Sequence, residues 1–111
     1  MVEALWSVDF QSNFGFVGTG IAVFETNRVF GGDSAMIYVG SYQVGGGHVD
    51  ALINVRKYAN VHGLSSAVGL DSFNLQVRGE AHHDEMFLTG HVVEDPARTL
   101  NIRAIRRAEL P

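Results

Sequence analysis

Phe73-Asn74-Leu75-Gln76-Val77-Arg78 alternates apolar and polar residues without a break. A period of two marks a strand with one face buried and the other wet. The same beat recurs in both directions along the chain. Downstream, Met86, Leu88, Gly90 and Val92 alternate with Phe87, Thr89 and His91. Leu100, Ile102 and Ala104 then alternate with Thr99, Asn101 and Arg103. Upstream, Val49, Ala51, Ile53 and Val55 alternate with Asp50, Leu52, Asn54 and Arg56, in a strand expected over 48–58. At the start, Trp6, Val8 and Phe10 alternate with Ser7, Asp9 and Gln11.

Three further segments, at about 15–25, 28–30 and 35–44, bring the expected number of strands to about eight. Turns are expected at Ser12-Asn13, Thr26-Asn27, Gly31-Gly32-Asp33, Gly45-Gly46-Gly47, 79–84 and Asp95-Pro96-Ala97, where glycine, asparagine and proline interrupt the pattern. Residues 59–72 form the one longer loop, with at most a single helical turn over 62–69. Short consecutive turns force antiparallel neighbours. An open sheet of that many strands leaves two unpaired edges, and the chain offers no helix to cover them. Closure into an up-and-down barrel removes the edges, and a two-sheet sandwich is the alternative. The glycines of the second strand and Gly40 favour closure, which needs strongly bent strands. The fold expected is all-β, one barrel domain over 1–111.

A barrel of about eight strands is either filled by side chains or hollow enough for one small ligand. Trp6, Phe10, Tyr38, Tyr42, Phe73 and Met86 are the candidates for that interior, whether as packed core or as the lining of an apolar ligand site. Two tyrosine hydroxyls inside a barrel need partners, which water or a ligand could supply. The second and fourth strands are apolar on both faces, and exposed apolar stripes of that kind mark contact surfaces. A homodimer through Val17, Ile21, Ile37 and Val39 is therefore expected.

Composition narrows the function. With 111 residues, 46% hydrophobic and 18% charged, the chain suits one globular domain. The 13 glycines and two prolines fit many tight turns. The absence of cysteine excludes disulfides, thiolate catalysis and cysteine-based zinc sites, and fits a reducing cytoplasm. Residues 1–10 lack the basic start of a secretory leader, and no stretch approaches a membrane-spanning length. A net charge of −4 makes the chain a poor nonspecific binder of nucleic acid. Arg98, Arg103, Arg106 and Arg107 cluster near the C-terminus and read as a solvated strand edge.

Catalytic and metal patterns are weak. His82-His83-Asp84-Glu85 has metal-ligand residue types but sits on a hairpin tip, where adjacent ligands rarely converge on one ion. Gly18-Thr19-Gly20 and Gly45-Gly46-Gly47 open no helix that could cradle a phosphate. Asp33-Ser34 lacks the strand–turn–helix setting of an activated nucleophile. His48, Asp50 and Arg56 share a wet strand face. No enzyme, cofactor or metal is expected.

Short motifs spread over 5–107 carry a family resemblance. They are Trp6-Ser7-Val8-Asp9-Phe10, the pair Gly18 and Gly20, Val29-Phe30-Gly31-Gly32-Asp33 followed by Tyr38 and Gly40, Val55-Arg56-Lys57-Tyr58, and Leu75-Gln76-Val77-Arg78-Gly79. In these the chain resembles the GrlR-like family, small bacterial proteins whose founding members repress type III secretion genes. The resemblance implies a lipocalin-like (calycin-like) closed barrel, a homodimer and a role in binding another protein. In founding members that protein is a transcriptional activator held through an acidic surface loop. The corresponding stretch here, Val44-Gly45-Gly46-Gly47-His48, has no acid. The resemblance therefore carries over fold, dimer and a general binding role, and leaves the partner open. The leading expectation is a cytoplasmic regulatory or adaptor protein; the alternative is a binder of a small hydrophobic ligand.

Overall fold

The computed structural model describes residues 2–61 and 66–111. It contains eight strands: β1 (Ala4–Ser12), β2 (Val17–Glu25), β3 (Arg28–Gly32), β4 (Met36–Gly45), β5 (His48–Lys57), β6 (Ser72–Ala81), β7 (Glu85–Val92) and β8 (Asp95–Ala108). Each pairs antiparallel with the next, and β8 returns to pair with β1. The sheet is a closed up-and-down barrel, an arrangement also used by lipocalins. Among the described residues no helix is long and apolar enough to cross a membrane. The helical turn expected over 62–69 lies partly outside the described residues; Ser66 to Gly69 form a turn closed by a Gly69 N–H to Ser66 carbonyl bond of 3.1 Å.

Alternation decides what faces inward. The even residues of β1 and β2 and of β8 from Leu100 to Arg106 point into the barrel, with the odd residues of β5, β6 and β3. Trp6 is 0% exposed and Phe73 5%, so both of these expected interior residues are inside. The connections β1–β2, β3–β4, β5–β6 and β7–β8 gather at one end, the mouth. The other connections and both termini gather at the floor.

Gly40 shows how the wall closes. It faces inward between Val29 and Ile53, and a Cβ there would overlap the Leu52 carbonyl oxygen and come within 2.8 Å of Ile53 Cα. Strands approach this closely only where one of them lacks a side chain.

Several local expectations change. Gly31-Gly32 does not break the third strand; β3 runs through Gly32, paired with Ile21 and Ile37. The last turn is Val93-Glu94, not Asp95-Pro96-Ala97. A register shift between His91 and Val92 lets Pro96 enter the strand next to an irregular pairing, where a missing N–H is tolerated. The arginine cluster does not lie on a strand edge, although Arg103 and Arg107 are solvent-exposed as expected. β8 is paired on both sides, and Arg106, its side chain 8% exposed, closes the barrel floor. Its guanidinium lies 5.1 Å from the centroid of the Trp6 ring, and its Nε donates to the His83 carbonyl at 2.7 Å.

Candidate functional site

The inward rows leave an apolar cavity of about 320 Å3 above the floor. Small side chains create it: Ala22, Ala51, Val77 and Ala104 stand at mid-height, where larger residues would meet across the axis. The floor is packed solid. Phe24 forms its upper layer and contacts Trp6 edge-on at 6.3 Å and Tyr42 at 5.0 Å between ring centroids. Trp6 Nε1 donates to the Val2 carbonyl at 2.8 Å.

Of the six interior residues expected from sequence, Phe10, Tyr38 and Phe73 line the cavity. Trp6, Tyr42 and Met86 are buried in the barrel beneath it. The inward glycines Gly18 and Gly20 make room for two of the lining rings. A Cβ on Gly18 would overlap the Phe10 ring, and one on Gly20 would come within 2.7 Å of the Tyr38 hydroxyl.

The Tyr38 hydroxyl finds its partner within the protein. It donates to Asp33 Oδ2, while Asp33 Oδ1 accepts the N–H groups of Ala35 and Met36 at 2.9 and 2.8 Å. The Asp33 carbonyl accepts the Tyr58 hydroxyl at 2.6 Å. Asp33 thus folds the β3–β4 turn and anchors Tyr38 at the mouth. From sequence Asp33 was expected in a turn and not as a partner of Tyr38; its five-residue spacing from an inward tyrosine was the available signal.

Burial, reinforced by the hydrogen bond to Asp33 and its charge, pushes the Tyr38 phenol far above its ordinary value near 10. Below pH about 10 the folded and unfolded chains both keep the proton, and the full stabilisation stands. Above it the unfolded chain releases the proton and the folded chain does not, so stability falls as pH rises. Urea midpoints between about pH 8 and about pH 11 are expected to fall more steeply for the wild type than for Tyr38→Phe. Equal slopes would show that the buried phenol is not held as described.

Loops at the mouth are tied by Arg98, whose guanidinium donates to the Val68 carbonyl and to Asp95 and lies 5.2 Å from the Phe14 ring centroid. Phe14, Phe16, Val17, Tyr58 and Val61 stand exposed around this end.

A second apolar feature lies on the outer wall. Leu5, Val23, Phe30 and Val39 form one row across β1, β2, β3 and β4. Ile21, Gly32 and Ile37 form the row beside it. Ile21, Phe30 and Val39 are 44%, 40% and 49% exposed. The expected contact residues Ile21, Ile37 and Val39 therefore share one patch. Val17 stands apart at the mouth rim, beyond Thr19. Phe30 and Val23 belong to the patch and were missed, because a three-residue strand segment shows too little alternation to assign its faces.

The histidine cluster does not converge. His82 pairs with Glu80, His83 with Asp84, and Glu85 turns to Arg103. Among the described residues no group of three or more histidine, aspartate or glutamate side chains could hold a metal ion. Asp50 pairs with Arg78 across β5 and β6 at 2.8 Å on the outer wall.

No protein-family model and no curated protein matches this chain.

Proposed function

We propose that this barrel is a bacterial, cytoplasmic regulatory or adaptor protein that acts as a homodimer by binding another protein and performs no catalysis. The observation that carries the reading is the two-row apolar patch across β1–β4. A closed barrel needs no outward hydrophobic residues for its own fold, since its core is inside. Contiguous exposed apolar side chains on such a wall serve contact with something else. A second copy is the simplest occupant, because a two-fold axis lets one patch cover itself. The resemblance to GrlR-like proteins points the same way. The β4–β5 turn, built on Gly46 and Gly47, has no acidic group to hold a basic partner, so the partner's identity stays open.

Light scattering at micromolar concentration is expected to give twice the chain mass of 12.1 kDa. Phe30→Glu combined with Val39→Glu should reduce it to the monomer. Both positions are exposed in the single chain, so each change should alter monomer stability by only about 0.5 kcal/mol. A wild-type monomer would remove the dimer from the proposal.

A second reading is favoured by the cavity. A 320 Å3 apolar space inside a rigid wall, reached from an end ringed by exposed aromatic residues, suits a small hydrophobic ligand. The two readings are compatible, since they use opposite faces of the same strands.

A further inference from the structure

The cavity has one chemical asymmetry, and it sets the class of molecule the interior would take. Among the described residues that line it, Asp33 is the only charged side chain, and none carries a positive charge. Asp33 sits at the mouth end; the middle and lower walls are hydrocarbon apart from backbone. Beside it, Tyr38 gives its only proton to Asp33. The lone pairs of the phenol oxygen, which packs over Gly20, are left as acceptors. The polar end of the cavity therefore carries a negative charge and the phenol lone pairs, beside the hydroxyls of Ser34 and Ser66, and it holds no positive charge among the described lining residues.

We propose that the interior binds an apolar molecule of roughly ten heavy atoms that ends in a hydrogen-bond donor and bears no negative charge, with its donor at the Tyr38–Asp33 pair and its apolar body running toward Phe24. The inference rests on the interior-ligand reading above and specifies its ligand class. The size follows from the volume, since 320 Å3 divided by the ~30 Å3 that a water-sized group occupies in a liquid gives about ten such groups. The head-group rule follows from electrostatics. A carboxylate at the mouth would lose its water, face another carboxylate and find no cation among the described lining residues. A hydroxyl or primary amide there donates a hydrogen bond to the Tyr38 oxygen, whose own proton is turned to Asp33. The raised phenol pKa agrees, because it keeps Tyr38 neutral and donating to Asp33 across the physiological range.

The test uses the whole chain and three ligands that share an eight-carbon chain and differ in head group: 1-octanol, methyl octanoate and octanoate, titrated calorimetrically at neutral pH. 1-Octanol is expected to bind tightest. Methyl octanoate, which lacks the donor, should bind several-fold more weakly, and octanoate about tenfold or more weakly than 1-octanol. Asp33→Asn should narrow the gap between octanoate and 1-octanol by removing the charge. The wild-type ranking alone decides the proposal, even where Asp33→Asn disturbs the β3–β4 turn. Octanoate binding as tightly as 1-octanol overturns the head-group rule while leaving an interior ligand in place. Methyl octanoate matching 1-octanol overturns the donor requirement. Binding of none of the three overturns the interior-ligand reading as well.

Discussion

Replacing Trp6 by alanine is expected to destabilise the barrel by ~3–5 kcal/mol, enough to consume much of the stability of a domain this size. The side chain is 0% exposed, and three independent contacts end on it. Its ring takes the edge of Phe24 and lies under the Arg106 guanidinium, and its Nε1–H satisfies the Val2 carbonyl. Removing the indole leaves a hole that closed, hydrogen-bonded strands cannot collapse to fill. It also takes the aromatic face away from a cation that is almost wholly out of water. Trp6→Phe keeps most of the volume and the face but loses the N–H donor, so it should cost far less. Urea denaturation of the two variants checks the ranking. A Trp6→Ala loss below about 1 kcal/mol would mean that the floor is not packed as described.

The floor also shows what could be read from residue order alone. Inward assignment of Trp6, Phe73 and Met86 needed only the period of two, and the structure buries all three. The same period, continued from Leu100, Ile102 and Ala104, puts Arg106 inside. That inference was lost because a cluster of arginines reads as a wet surface when judged by type. Position outweighs type here because Trp6, the His83 carbonyl and Glu109 all meet the guanidinium. The mouth was less legible. Asp33 reaches Tyr38 across a turn, and no local pattern says which way a turn carboxylate points. Gly18 and Gly20 were read as bends for closure, whereas their main service is room for Phe10 and Tyr38. Strand ends shifted where glycine or proline stood at a boundary. Gly32 is tolerated inside β3 because the strand is short and paired on both sides, and Pro96 because the ladder is already irregular beside it. The outer patch was half visible: Ile21, Ile37 and Val39 showed in two-sided apolar strands, while Phe30 gains meaning only once register sets it between Val23 and Val39.

Register also explains why a single methyl group can be as damaging as a lost indole. Gly40→Ala adds a Cβ that must occupy the position of the Leu52 carbonyl oxygen and crowd Ile53 Cα at 2.8 Å. Both obstacles are backbone, so no rotamer change relieves them. Either β4 and β5 separate locally, losing ladder bonds in one of the most extensively paired seams, or the strand bends out of register. Overpacking of this kind costs ~1–3 kcal/mol where side chains can shift, and a backbone obstacle puts Gly40→Ala at or above the top of that range. Gly45 provides the control. It lies at the end of the same strand, and a Cβ there would meet nothing within 4 Å. Its φ is not in the left-handed region. Gly45→Ala is therefore expected to be neutral or to stabilise by ~0.4–1 kcal/mol through the unfolded chain. Thermal melts of the two variants side by side separate the explanations. If Gly40 only loosens β4, alanine should help at both positions. If it is the point where two strands nearly touch so that the wall can curve, alanine should help at Gly45 and unfold the protein many degrees early at Gly40. Closure of the barrel, and with it the cavity that the ligand reading needs, depends on the second outcome.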